Sequence, residues 1–211
     1  MAIVTIGTQT WDDQNLDVDS FGDGTPIAQA SSSQQWIDYC AAGTPAWRYY
    51  EDDGANSPTY GRLYNWYVVS ASITSKNIVE NPQFKIPTAA EYNTLITYLG
   101  GTRTAGFAMK NTENWGTLTR VSGNGSNSSG WKGNPGGFTS TQGEFFDLTW
   151  SGNWWSRTSS SAANAYGYKL YWQNRSAIAV ETPMIMGLSV RLIVSASWTG
   201  SNNFRPSENW G

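Results

Sequence analysis

Apolar residues come in short runs separated by Gly, Ser, Asn and Thr, so the few periodic segments stand out. Residues 2–6 alternate weakly and predict a first strand; residues 8–16 follow with Trp11 as a core anchor, and residues 17–25 read as a turn region. Ser32 with Gln35 three residues on resembles a capping box and predicts a short helix. Trp36, Ile37, Tyr39 and Cys40 form its apolar side, and Pro45 lies beyond its end. Residues 47–50 predict a strand. Tyr60, Leu63, Tyr64, Tyr67 and Val68 recur at helical spacing, which predicts a helix over residues 60–71. The best-defined helix comes next. Thr88 is its N-cap and Glu91 completes a capping box. Tyr92, Leu95, Ile96 and Leu99 form the buried face, and Gly100 and Gly101 stop it.

Beyond Gly101 the pattern changes. Residues 102–152 are rich in Gly, Asn, Ser and Thr with isolated Trp115, Trp131 and Trp150, which predicts long loops with short strands. Residues 166–173 alternate: Tyr166, Tyr168, Leu170 and Trp172 share one face, and Lys169, Tyr171 and Gln173 the other. Residues 188–194 predict a final strand. Residues 195–211 have no period, yet carry Trp198, Phe204 and Trp210.

Composition narrows the class. Charged residues make up 14% of the 211, against roughly 25% in an average soluble domain. Aromatics reach 14%, with 12 Trp and 22 Gly. That mixture suits short strands, many turns and an aromatic core, and it suits neither a helical bundle nor disorder. With the single Cys40 no internal disulfide can form, so aromatic packing and hydrogen bonds must hold the loops; Cys40 itself reads as a small buried hydrophobe. The net charge of -3 and the lack of a basic run argue against nucleic acid as a partner. No apolar stretch approaches the ~18 residues of a membrane span, so no membrane insertion is expected. The start lacks the basic and apolar regions of a signal peptide, from which synthesis and assembly in the cytosol are expected.

The chain has no histidine, which removes Ser–His–Asp and Cys–His catalysis and His-ligated metals. Carboxylate pairs remain, but no spacing marks any two of Asp52, Asp53, Glu113, Glu144, Asp147 and Glu181 as partners. A non-enzyme without cofactor is expected. Asp17, Asp19 and Asp23 begin like a calcium loop, but Phe21 stands where a third oxygen ligand belongs. A polar turn is the expectation there, with no metal, and a structural calcium is the alternative. Trp11, Trp36, Trp47, Trp66, Trp154 and Trp155 are expected in the core, with their indole N–H groups on buried acceptors. The contact candidates are Lys169, Tyr171, Gln173, Asn174 and Arg175, residue types that give area and hydrogen bonds at modest entropic cost; the alternative is an ordinary solvated strand edge.

Six motifs occur in order: IGTQTW (6–11), YGRLYNWY (60–67), KIPTAAEYNTL (85–95), NSSGWKGNPGGF (127–138), GNWWSRT (152–158) and SVRLIV (189–194). Together they resemble the Fibrobacter succinogenes major paralogous domain, a family of bacterial surface proteins and phage-encoded proteins, notably of marine cyanophages. KIPTAAEY, GNWWS and SVRLI also resemble segments of the C-type-lectin-like superfamily. The resemblance implies an α+β, C-type-lectin-like fold over residues 1–194: two main helices around a small twisted antiparallel sheet, with long irregular loops. It implies a phage structural or adhesion protein, such as a fibre-tip, baseplate or capsid-decoration subunit, in the virion. Its partners would be other virion proteins or identical subunits, and a host-surface glycan or protein. A bacterial cell-surface or secreted binding module is the alternative. Many relatives have His or Arg where Lys85 stands, and often end near SVRLIV. Residues 195–211 are therefore expected to be an extension that docks on a neighbouring subunit through Trp198, Phe204 and Trp210; folding back on the domain is the other reading.

Overall fold

The structure is a computed structural model in which residues 2–195 are described; the expected docking residues Trp198, Phe204 and Trp210 lie outside them. The chain opens with strands β1 (Ile3–Ile6) and β2 (Gln9–Asp12), joined by a two-residue turn in which Gly7 takes φ 61°. Strand β3 (Ala28–Gln29), helix α1 (Ser33–Ala41) and β4 (Ala46–Arg48) follow, then the single turn α2 (Ser57–Tyr60), β5 (Leu63–Tyr64) and α3 (Trp66–Thr74). After β6 (Phe84–Lys85) come α4 (Ala89–Tyr98) and the short α5 (Ala105–Met109). The second half is strands: β7 (Thr117–Leu118), β8 (Val121–Ser122), β9 (Gly136–Thr139), β10 (Phe145–Leu148), β11 (Ser151–Ser159), β12 (Asn164–Tyr171), β13 (Ala177–Pro183) and β14 (Ile193–Val194).

The chain is thus mixed α+β. Three helices of nine or ten residues occur among the described residues, where the resemblance implies two main ones. The strands form several small sheets rather than one. The largest has the order β10-β9-β11-β12-β13 and contains a parallel β9–β11 contact; β1-β2-β14-β6 forms a second and β3-β4-β5 a third.

The five-stranded sheet separates two aromatic cores. On one side Trp155 and Ala165 pack with Val68 and Val69 of α3 and with Met184, Leu188 and Val190. On the other, Trp154, Tyr168 and Leu170 meet Tyr92, Leu95 and Ile96 of α4, together with Trp11 and Trp131. The Tyr92 and Tyr168 rings stack at 4.2 Å, and Trp131 meets Trp154 edge-on at 4.8 Å. All six tryptophans expected inside are buried. Five of their indoles find acceptors, such as Tyr64 O for Trp155 at 2.7 Å and Asn15 Oδ1 for Trp154 at 2.8 Å. The Trp11 indole N–H has no partner among the described residues.

Helix α4 forms as its sequence predicts. Thr88 Oγ1 accepts from Glu91 N, and the Glu91 carboxylate accepts from Thr88 N at 2.8 Å. At the other end Gly101 N donates to Ile96 O, with Gly100 and Gly101 both at positive φ. The helix predicted over residues 60–71 is instead three elements. Gly61 takes φ 71°, and a Cβ there would lie 2.7 Å from Leu16 O, so α2 stops, β5 intervenes, and Asn65 caps a new helix through Val68 N. The final strand is shorter than predicted: Leu188 and Ser189 form single bridges to Tyr64 and Trp154, and β14 begins only at Ile193.

Four cations are buried among the described residues, and three of them, Arg48, Lys110 and Arg191, staple the loops through backbone carbonyls. Arg48 holds Asp52 with two hydrogen bonds, donates to Gly143 O at 2.8 Å, and lies 4.1 Å above the Phe145 ring. Arg191 donates to Asp12 O, Trp131 O and Asn15 Oδ1 and stacks on Trp131 at 4.4 Å. Burial pulls its pKa down to about 10, which leaves it charged at neutral pH. The third, Lys110, lies beneath the β12–β13 turn. Cys40 is buried as expected, its Sγ donating to Ile185 O, and burial raises its thiol pKa to about 11.

Candidate functional site: the open sheet face and its hairpin

Strand alternation gives the five-stranded sheet two unlike faces. Side by side in the ladder stand Asn153, Lys169 and Ile178, and next to them Trp155, Gly167 and Val180. Residues 184–190 cover Trp155, but the covering stops short of the strand centres. There a groove of about 160 Å³ remains, bordered by Phe138, Asn153, Gly167, Lys169, Val180 and Met186. Gly167 keeps the floor low: a Cβ at that position would come within 3.1 Å of both Thr182 Oγ1 and Leu188 Cδ1. Asn153 Nδ2 is fixed from below by Gly137 O and Ser151 Oγ. Phe138 stacks on Phe146 with ring centroids 5.6 Å apart. Phe146, Ile178 and Val180 are 43%, 41% and 38% exposed, so the groove lies within an open apolar ring.

Lys169 stands among these apolar residues. Its Nζ is 3.6 Å from Asp147 Oδ2 and 5.2 Å from the Tyr171 ring, and Asp147 also accepts from Ser151 Oγ at 3.2 Å. A cation, a carboxylate and a tyrosine thus stand together at one end of an apolar groove. Gln173 and Asn174 are exposed at the hairpin tip. Asn174 Oδ1 accepts from Ser176 N, which tightens the turn. Arg175 is exposed but drawn aside, with Cζ 4.3 Å above the Phe107 ring of α5. Of the five predicted contact residues, Lys169 and Tyr171 therefore share the open face, Gln173 and Asn174 extend its end, and Arg175 points to a separate contact.

The hairpin has a rigid seat. Lys110 is 2% exposed, and its Nζ reaches the carbonyl oxygens of Tyr171, Trp172 and Asn174 at 3.3, 3.3 and 2.9 Å. Burial, and secondarily the charge of Arg175, lowers its pKa to about 8. Residue alternation does not show this lysine, because its partners are backbone carbonyls more than sixty residues away.

The other candidate chemistry disperses. Asp17 accepts from Ser57 Oγ at 2.5 Å and pairs with Arg62; Asp19 lies 3.7 Å from Arg62; Asp23 pairs with Lys76 at 2.7 Å. Asp17 and Asp19 thus share Arg62, while Asp23 answers Lys76. Asp52 is held by Arg48, Asp53 caps Ala55 N, and Glu113, Glu144 and Glu181 are exposed. Among the described residues no helix is long and apolar enough to cross a membrane.

No curated protein and no solved structure matches the chain. The Fibrobacter succinogenes major domain family matches residues 4–194, from the first strand to the last. The chain belongs to that family.

Proposed function

We propose that this chain is a non-enzymatic binding and display domain, with a C-type-lectin-like fold, whose recognition surface is the open sheet face and the β12–β13 hairpin. The observation that carries this reading is the contrast in construction around the groove. Its floor and rear are fixed by Asn153, Lys110 and the two aromatic cores, while its rim exposes Phe146, Ile178 and Val180 beside the half-buried Lys169 and Tyr171. Rigid support under an amphipathic rim is how adaptable recognition surfaces gain affinity at low ordering cost. The buried charges support it too: Arg48, Lys110 and Arg191 are engaged by backbone carbonyls and fixed side chains. The ligand chemistry that suits the groove is a flat, partly apolar surface bearing hydroxyls, as in a pyranose ring or an extended peptide.

We place the domain in a phage particle, as an attachment or decoration subunit, because the family motifs resemble those of phage-encoded members. A bacterial surface module is the competing setting. Mass spectrometry of purified particles separates them: peptides of this chain in particles support the first, and their confinement to the bacterial envelope refutes it. Binding of the full chain to a glycan array and to whole host cells tests the recognition surface, with loss expected in the Lys169→Ala, Tyr171→Ala double variant.

A further inference from the structure

The outer edge of the five-stranded sheet carries a second surface. In an antiparallel ladder, alternate residues direct their N–H and C=O toward the neighbouring strand, and the others direct them away. Met184 N donates to Ala163 O at 2.9 Å, continuing the β12–β13 register, while Ala177 N donates away from β12, to Thr102 O at 2.8 Å. The phase is therefore set: Ile178, Val180 and Thr182 bond inward, and Ala179 and Glu181 present their backbone groups outward. The window is closed at both ends. The Ala177 N–H is already engaged, Pro183 has no N–H, and Pro183 O accepts from Met186 N at 3.0 Å. Between these ends four backbone groups, the N–H and C=O of Ala179 and of Glu181, remain without a partner among the described residues. Natural edge strands are usually blocked by lysine, a bulge or a covering loop. Residues 177–182 contain none of the first, and their exposed side chains include Ile178 and Val180.

We propose that β13 pairs antiparallel with β13 of a second copy of this chain, about a twofold axis at Val180. In that register Ala179 lies opposite Glu181 of the second copy, and Glu181 opposite its Ala179. Each pair exchanges two N–H···O=C bonds, so all four open groups of each copy are satisfied and the ladder stops where the window closes. Val180 meets Val180 and Ile178 meets Thr182 on the open face, which gives the apolar pairs that stabilise cross-strand contacts. Glu181, the strand's single charge, faces alanine and not its own counterpart. Val180 also borders the groove, so two grooves would lie on one continuous ten-stranded face. Two weak sites on one rigid surface raise avidity without any new contact to ligand. The pairing rests on the edge geometry alone and stands whether or not the groove binds a glycan.

The test is sedimentation velocity of the full chain over a concentration series, with two variants. Ala179→Pro removes an outward N–H without touching the β12 ladder, where proline on an edge strand is tolerated. Val180→Lys puts like charges across the axis. The wild type is expected to self-associate to a dimer. Both variants are expected to weaken association by about tenfold or more, with the circular dichroism spectrum and the melting temperature measured at low concentration unchanged. A wild type that stays monomeric at its highest soluble concentration overturns the proposal. So does a dimer that neither substitution weakens, because it forms through another surface.

Discussion

The two faces of the five-stranded sheet are built from alternate residues of the same strands, yet they do opposite work. The face of Trp154, Tyr168 and Leu170 is sealed under α4 and Trp131, with interlocked aromatic rings. The face of Asn153, Gly167 and Lys169 keeps a groove and an exposed apolar rim. Tryptophan and tyrosine occur on or beside both. An aromatic residue in this chain therefore marks core or contact only through the face its strand register gives it, not through its identity. The first face is sealed by α4 and Trp131, whereas the second is closed over Trp155 and Ala165 and stays open beside Lys169.

The sharpest way to break this contrast is to cut one large aromatic side chain from each face. Trp154→Ala removes a buried indole that also donates to Asn15, the residue that accepts from Arg191. It should cost about 3–5 kcal/mol in urea denaturation. Phe146→Ala on the open face should cost less than about 1 kcal/mol. Equal losses would mean that the open face is closed in solution.

Lys110→Met tests the seat beneath the hairpin. Three carbonyls lose their donor, so the loss at pH 7 should be about 2–3 kcal/mol. The pH dependence adds a signature. The folded-state pKa of Lys110 is about 8, below its ordinary value of 10.5. Between the two, the unfolded chain holds a proton that the folded chain has released, so this group's contribution to stability is constant below about 8 and rises toward 10.5. The stability gap between wild type and variant should therefore widen with pH across that window. A gap that narrows would show that Lys110 keeps its proton inside the fold.

A smaller effect is expected at the rim of the sealed core. Thr88→Ala deletes the N-cap of α4 and should lower stability by about 1 kcal/mol, read as a fall in the melting temperature, with no change in any surface contact.

The sealed face was largely legible in the sequence, because several local signals agree there. Thr88 and Glu91 mark the start of α4, Gly100 and Gly101 its end, and the alternation of residues 166–173 separates Tyr168 and Leu170 from Lys169 and Tyr171. Residues 60–71 misled for a physical reason. Turn, two-residue strand and new helix happen to place aromatics at helical spacing, and only the close approach of Gly61 to Leu16 O breaks the helix. The open face was half visible. Lys169 and Tyr171 follow from alternation, but Phe138 and Phe146 join them only through the contact of β9 with β11, a pairing between strands with no local signal. Composition gives no signal that Arg48, Lys110 and Arg191 are buried; a lone Arg in the apolar run 188–194 is the one local hint that a cation goes inside.

Recognition through the open face is tested most directly by one paired measurement: binding of the full-length wild type and of the Lys169→Ala, Tyr171→Ala variant to host cells or to the glycan the wild type selects, with thermal melting of both. Loss of binding with stability changed by less than about 1 kcal/mol is the predicted result. Undiminished binding by the double variant would contradict it.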